Sequence, residues 1–225
     1  MRKISIIIPA LNEADHIETC LSGLQGLRNG GHEVIVVDGG STDNTQKLAM
    51  PLVDKILQHE KGRARQMNAG AGVASGDILL FLHTDTCLPQ NIDKHILACI
   101  KESENCWGYF NVRLSGAHWL FRVIEWCMNL RSRITGIVTG DQAMFMTRLL
   151  YKHVKGFDEI ELMEDIAMSS KLNRIVKPVC LKQRVITSSR RWERNGIVHT
   201  IFKMWRLRLA YYLGADPVSL ARQYD

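Results

Sequence analysis

The sequence predicts an α/β fold, a single domain with a mostly parallel central sheet flanked by helices. Three observations carry this expectation. Short β-branched runs alternate with segments whose apolar residues recur at three- and four-residue steps. Several of those runs stop abruptly in polar, acidic turns, as strands do where they open onto a ligand crevice. The chain has 225 residues, 46% of them hydrophobic, enough for one substantial core. It shows no internal repeat or low-complexity linker.

Ile4–Pro9 is a compact β-branched strand. Asn12-Glu13-Ala14-Asp15 then offers an N-cap with a carboxylate three residues on, and Ile17, Leu21 and Leu24 follow at helical spacing. Val34–Val37 is a second buried strand, ending in Asp38-Gly39-Gly40-Ser41-Thr42-Asp43, a turn-rich segment in which Asp43 caps a short helix. Val53–Gln58 is a third strand. Arg63–Ala74 carries Ala64, Met67, Ala71 and Ala74 on one face and reads as a helix despite Gly70 and Gly72. It leads into Ile78–Leu82, an apolar strand that ends at once in His83-Thr84-Asp85-Thr86.

After about residue 105 the pattern changes. Tyr109–Leu114 alternates polar and apolar, the signature of a half-buried strand, and Trp119–Leu130 is an amphipathic helix. Arg131–Asp141 reads as a polar, glycine-containing loop, Gln142–Met146 as a short strand, Met163–Leu172 as a helix and Val179–Val185 as a strand. Gly196–Leu213 is a closing amphipathic helix. Residues 1–108 and 109–225 are thus two lobes of one domain.

A formal charge of +6 fits an anionic partner without choosing among nucleotides, nucleic acid and an acidic lipid surface. The six cysteines form no Cys-x-x-Cys pair, so neither a zinc knuckle nor a disulfide framework is expected, and a reducing cytoplasm suits them. The apolar run Ile6–Ile8 is too short for a signal peptide. No uncharged run approaches the roughly 18 to 20 residues a membrane span needs; His118–Leu130 is broken by Arg122 and Glu125, and Ile197–Leu213 by Lys203, Arg206 and Arg208.

Four segments fall at the expected carboxyl ends of strands: Pro9–Glu13, Asp38–Asp43, His83–Asp85 and the loop before Met163-Glu164-Asp165. The first strand–helix turn, Pro9-Ala10-Leu11-Asn12-Glu13, has neither Gly-x-Gly-x-x-Gly nor a P-loop, so nicotinamide and P-loop chemistry are disfavoured. Phosphates would instead be neutralised by a divalent cation on Asp85 and by Lys61, Arg63 and Arg65 at a helix start. No His-x-x-x-His pair or nucleophile elbow supports a hydrolase.

Seven segments, IIIPALNE, VVDGGSTDNT, GRARQMNAGAGVASGD, LLFLHTDT, TGDQAMF, MEDIAMSSKL and SSRRW, stand in the order found in the inverting family 2 glycosyltransferases of GT-A fold. The chain resembles that family over nearly its whole length, and specifically its small bacterial branch found near radical-SAM and selenium-related genes. The resemblance implies a GT-A-like nucleotide-diphospho-sugar transferase fold whose first half, 1–108, binds a nucleotide-diphosphate sugar and whose second half, 109–225, faces the acceptor. It implies that Pro9, Asn12 and Glu13 lie near the nucleoside, Asp38 on the base or ribose, and Arg63 or Arg65 near the diphosphate. Asp85 corresponds to the last aspartate of the family's Asp-x-Asp motif, which binds Mn²⁺ or Mg²⁺. His83 replaces the first aspartate, and either ligates the metal, with a preference for Mn²⁺, or braces the loop.

Glu164-Asp165 resembles the family's Glu-Asp pair, which implies Asp165 as general base and Glu164 as the neighbour that raises its basicity or orients the acceptor. From residue types alone the pair is equally a helix N-terminus furnished with acids. Asp141 and Gln142 resemble an acceptor-side motif that hydrogen-bonds sugar or acceptor hydroxyls. Arg191 and Trp192 match the end of the Gln-x-x-Arg-Trp motif of processive members, but Ser188 stands at the glutamine position, so polymer synthesis is not expected. Arg190 or Arg191 pairs with the diphosphate; Trp192 stacks on the acceptor or fills the core. The expected donor is a UDP-sugar rather than a GDP-sugar, the acceptor a hydroxyl compound that includes lipid-linked molecules, and nucleic acid is not an expected partner. The runner-up activity is sugar-1-phosphate nucleotidyl transfer; a different class is a non-catalytic nucleotide-sensing or membrane-surface module. Trp119, Phe121, Trp126 and Met128 read first as core. With the Trp205–Tyr212 segment and its arginines they also read as a surface for a lipid-linked acceptor or for peripheral contact at the inner face of the membrane.

Overall fold

A computed structural model of the chain describes residues 2–100 and 104–224. The first half alternates strand and helix as expected: β1 Ile4–Ala10, α1 Ala14–Asn29, β2 Glu33–Asp38, α2 Thr45–Ala49, β3 Lys55–Gln58, α3 Arg63–Val73 and β4 Ile78–Phe81. A two-residue strand β5, Thr86–Cys87, and helix α4, Ile92–Ile100, close it. The second half holds β6 Trp107–Leu114, α5 Trp119–Thr135, a 3₁₀ turn at Gly140–Gln142, β7 Phe145–Thr147, α6 Arg148–His153 and α7 Glu164–Ile175. It ends with β8 Val179–Thr187, α8 Arg190–Asn195, α9 Ile197–Tyr212 and α10 Pro217–Tyr224.

One eight-stranded sheet runs through both halves in the order β3-β2-β1-β4-β7-β6-β8-β5. The first four strands are parallel, as are β6 and β8, whereas β7 runs antiparallel to β4 and β6, and β5 to β8. The sheet is therefore mixed, and the mostly parallel reading describes its first half. The continuous apolar strands fit burial on both faces. Ile4, Ile6 and Ile8 of β1 join Val34 and Val36 of β2 under α1 and α4. Ile7, Ile35 and Val37 point the other way, to Ala64, Met67 and Ala71 of α3. Helix α3 lies close to the sheet because residue 70 is glycine: a Cβ there would stand 2.5 Å from Ile7 Cγ2.

Several expectations are corrected. Strand β6 is buried except at Arg113, not half wet, because β7 and β8 cover its edges and the buried Asn111 amide donates to Leu181 O. Segment 131–135 is helix rather than loop, and residues 142–144 precede the strand rather than belonging to it. Helix α4 was not anticipated although Ile92, Ile96 and Ile100 recur every fourth residue and are buried. The capping role of Asn12 also fails. Glu13 occupies the cap position without a side-chain bond, and Asn12, at φ 53°, turns its Oδ1 to accept from Thr42 N at 2.9 Å. Asp43 serves both neighbouring helix starts, accepting from Thr45 N at 2.9 Å and Ala14 N at 3.1 Å.

Pro9 explains where the sheet opens. It has no N–H to give to a ladder, and the β1–β4 pairing ends at Ile7 opposite Phe81, two residues before it. The chain leaving β4 is thereby free to diverge, and residues 83–85 emerge at the carboxyl edge of the sheet.

Candidate active site

A small cavity at that edge is lined by His83, Gly140, Glu164 and Asp165, with Met67, Phe81, Met144 and Phe157 forming its apolar floor. Two strand ends and one helix start deliver the polar groups. His83 leaves β4, Gly140 opens the turn before β7, and Glu164 and Asp165 form the first turn of α7, where the helix dipole favours carboxylates. Asp165 is held twice: Oδ2 accepts from Gly140 N at 2.9 Å and Oδ1 from Ile166 N at 2.7 Å. Met163, the residue before the pair, has φ 70°, a left-handed conformation that costs a non-glycine residue on the order of 1–3 kcal/mol and concentrates at functional sites.

The electrostatics of the cluster are mutual. Desolvation disfavours the charge of Arg63, but Tyr224, Glu164, Asp141 and Asp165 around it outweigh this and hold its pKa above the ordinary value. Glu164 is 5% exposed. Burial, and then the charge of Asp165, push its carboxyl up to about 7, with Arg63 pulling the other way. Asp165 is also raised, by burial first, against the two backbone N–H bonds. Burial and then Arg63 push the His83 imidazole down to about 4, Asp85 opposing; near neutral pH it is uncharged and retains a nitrogen lone pair. Its Nδ1 is 3.8 Å from Asp141 Oδ1. Its ring packs on the Gly140 backbone so closely that a Cβ at 140 would overlap it.

The predicted residues separate into groups. His83, Arg63, Asp141, Glu164 and Asp165 come together, and Arg191 belongs with them through its effects on His83 and Asp141. Asp85 adjoins the cluster, next to Glu13, whose carboxyl is raised by burial and by Asp85 and lowered by Thr84, His16 and Arg190. Arg190 itself reaches His16. Between the two arginines left open at the start of α3, Arg63 faces the cluster and Arg65 turns outward to Glu159 and Glu161 at 3.8 and 3.6 Å.

Five predicted binding residues are engaged within the protein. Asp38 is fully buried and accepts from Gly40 N, Ser41 N, the Ser41 hydroxyl and Gln46 Nε2. Burial works against its charge, but the Ser41 and Gln46 side chains and the two N–H groups hold it below the usual carboxylate range. Gln142 is also fully buried; it accepts from Ser132 Oγ at 2.7 Å and so ties α5 to the turn that carries Gly140 and Asp141. Trp192 packs with Leu114, Phe121 and Ile124, the core-filling alternative. Pro9 is a buried strand residue and Asn12 an anchor for the Ser41–Thr42 turn.

Two residues of the cluster were not anticipated. Arg131, on the stretch read as loop, faces Asp165, Tyr212 and Asp141, and burial lowers its pKa; Ile134, continuing the Trp126 and Leu130 face at a four-residue step, was the available signal that the helix runs on. Tyr224, at the end of α10, lies under the Arg191 guanidinium at 4.2 Å and has Arg63 and Asp141 nearby. Nothing local in the sequence marks it. Among the described residues no three His, Cys, Asp or Glu side chains converge as a ready metal site. Asp85 and His83 offer one carboxylate and one neutral imidazole. That set fits an ion of the Mg²⁺ or Mn²⁺ type, which takes few protein ligands and completes its shell with substrate phosphate and water.

The model of "Glycosyl transferase family 2" matches residues 5–151. The poly-β-1,6-N-acetyl-D-glucosamine synthase of Staphylococcus aureus is 26% identical over 96% of this chain, and the chain spans about half the length of that relative, 48%. Among solved structures, S. aureus TarS 1–349 superposes with a TM-score of 0.67 at 21% identity over 98% of this chain and 68% of TarS. Glucosyl-3-phosphoglycerate synthase of Mycobacterium tuberculosis, solved with Mn²⁺, UDP and phosphoglyceric acid, gives 0.59 at 21% identity over 81% of this chain and 68% of that one. The likenesses show the fold, and the GT-A-like expectation stands with a mixed sheet.

Proposed function

The chain belongs to glycosyl transferase family 2, and from that premise we propose that it is an inverting glycosyltransferase that moves a sugar from a nucleotide-diphosphate donor to a hydroxyl acceptor. The observation that carries the reading is the single cavity in which His83, two residues from Asp85, meets Glu164 and Asp165. Arg63 and Arg191 would hold the donor's diphosphate by charge-assisted hydrogen bonds. Asp85 and His83 would hold a divalent ion, which when bound supplies Lewis-acid stabilisation of the leaving nucleoside diphosphate. Asp165 accepts the proton of the acceptor hydroxyl as its oxygen attacks the anomeric carbon, and the bond to the diphosphate breaks on the opposite face. Its raised pKa makes it a better base than an exposed carboxylate.

Glu164 and Asp165 titrate as a pair, and burial together with their mutual repulsion raises both, so one of the two carboxyls holds a proton to higher pH than an exposed acid would. Gln142 acts as a positioning residue for Asp141 through Ser132. UDP is the first donor nucleotide to test, because TarS was solved with UDP-GlcNAc and the phosphoglycerate enzyme with UDP. A lipid-linked acceptor and a cytoplasmic setting, peripheral to the membrane, belong to the same reading, as does membership of the small bacterial branch. Incubation with a panel of nucleotide sugars should give metal-dependent release of nucleoside diphosphate. No release with any sugar would overturn the reading, and formation of pyrophosphate would replace it with nucleotidyl transfer.

A further inference from the structure

Helices α5 and α9 each carry a second apolar stripe that nothing in the described structure covers. On α5 it is Trp119, Val123, Trp126, Leu130 and Ile134, with both tryptophans more than 60% exposed. On α9 it is Val198, Phe202, Trp205, Leu209 and Tyr212, all more than 55% exposed. Steps of four, three and four residues put each set on one face. The diametrically opposite face of each helix is the packed one, through Phe121 and Ile124 on α5 and Thr200 and Leu207 on α9. A surface helix needs one apolar stripe, and isolated exposed apolar residues are ordinary; five large side chains in register on the wet side of each of two helices are not.

The two helices are neighbours. Ile197 and Ile201 of α9 share a cluster with Phe121 and Ile124 of α5. They also border the site: Arg131 of α5 faces both Asp165 and Tyr212 of α9, and Leu207 of α9 packs with Met163 and Ile166 on either side of the Glu164-Asp165 pair. Neither helix exposes an acid. Glu125, the single one in either, is buried beside Arg122 at 3.0 Å, while Arg133 of α5 and Arg206 of α9 are exposed; Lys203 turns inward to Tyr224 O at 2.9 Å and Arg208 Nε is buried.

We infer that α5 and α9 dock the protein on an anionic lipid bilayer, with the aromatic stripes in the headgroup boundary and the basic flanks against lipid phosphates. The aromatic type fits, since tryptophan and tyrosine favour a surface that is apolar on one side and wet on the other. Charge decides between occupants. A second copy laid face to face would set Arg133 and Arg206 against a face with no exposed acid to pair them, whereas anionic headgroups neutralise them. No helix among the described residues is long and apolar enough to cross a membrane, so the contact is interfacial. The docking deepens the membrane-peripheral part of the proposed reading by naming the surface and the lipid, and flotation tests it separately from sugar transfer; with both, the bilayer surface lies about one helix diameter, roughly 10 Å, from the proposed base.

The test is flotation of the protein with phosphatidylcholine vesicles, with and without phosphatidylglycerol, for the wild type and for a Trp126→Ser, Phe202→Ser, Trp205→Ser variant. All three positions are exposed, and a thermal melt checks that the variant is folded. The wild type should float with anionic vesicles, less so with neutral ones, and the variant should partition at least roughly tenfold more weakly, while donor turnover without acceptor is the same for both proteins. Absence of wild-type flotation, or equal flotation of a folded variant, overturns the inference. So does a dimer in light scattering that the variant abolishes without any vesicle binding, which would make the face a contact between copies. Failure of donor turnover with flotation intact would count against the transferase reading alone.

Discussion

Substitution of Glu164 by glutamine isolates the electrostatics of the site. The carboxyl is 5% exposed, and burial together with Asp165 raises its pKa from 4.5 to about 7. A shift of that size corresponds to about 3 kcal/mol between its protonated and ionised forms. The sign follows from linkage. An acid whose pKa is raised in the folded state holds its proton more tightly folded than unfolded, so stability falls as pH rises from 4.5 to about 7, and the whole penalty is present above. Glutamine keeps the shape and carries no charge. At about pH 5 the variant should therefore match the wild type within about 1 kcal/mol, and at about pH 8.5 it should be more stable by up to about 3 kcal/mol, roughly 6–12 °C in Tm for a chain of this length. Urea unfolding of both proteins at several pH values between these limits measures the difference directly. Parallel stability curves would refute the reasoning, because they would mean that Glu164 ionises in the folded protein as easily as in the unfolded chain.

Asp165→Asn should lower transfer by about 10²–10⁴-fold, the range for loss of a general base, with donor affinity by calorimetry nearly unchanged; full turnover would remove Asp165 from the mechanism. Glu164→Gln, by contrast, should keep most of its turnover near neutral pH, since it imitates the protonated acid. Asp85→Ala should remove the Mn²⁺ dependence of donor binding, and an unaltered calorimetric affinity with Mn²⁺ would speak against Asp85 as ligand. Gly140→Ala would force its methyl into the His83 ring and shift the N–H that holds Asp165; a loss of about 1–3 kcal/mol in stability is expected, together with reduced turnover, and a variant equal to wild type in both would show that His83 moves freely.

Much of the fold was legible because its signals are local. A β-branched run such as Ile4–Ile8 or Val34–Val37 states its own burial, and an apolar period such as Ile17, Leu21 and Leu24 states which side of a helix is inward. Glu164-Asp165 at a helix start and His83–Asp85 at a strand end could be placed at the carboxyl edge for the same reason. The errors came where a residue's role depends on what packs against it. Tyr109–Leu114 looks half polar, yet β8 and β7 bury it and employ Asn111 inside. Asp38 and Gln142 look like ligand groups, yet each has its hydrogen bonds taken by the protein.

The chain's sequence by itself determined the alternation of strands and helices through β4, the membership of family 2 and the carboxylates that end up at the sheet edge. Tertiary structure alone decided that Arg63 rather than Arg65 faces those carboxylates, that Arg131 and Tyr224 join them, and that the tryptophans at 119, 126 and 205 remain outside. The physical reason is range. Period and propensity act over a few residues, whereas burial, desolvation and the pairing of charges depend on contacts between groups far apart in the chain, such as Arg63 and Tyr224, 161 positions apart, which no window of sequence contains.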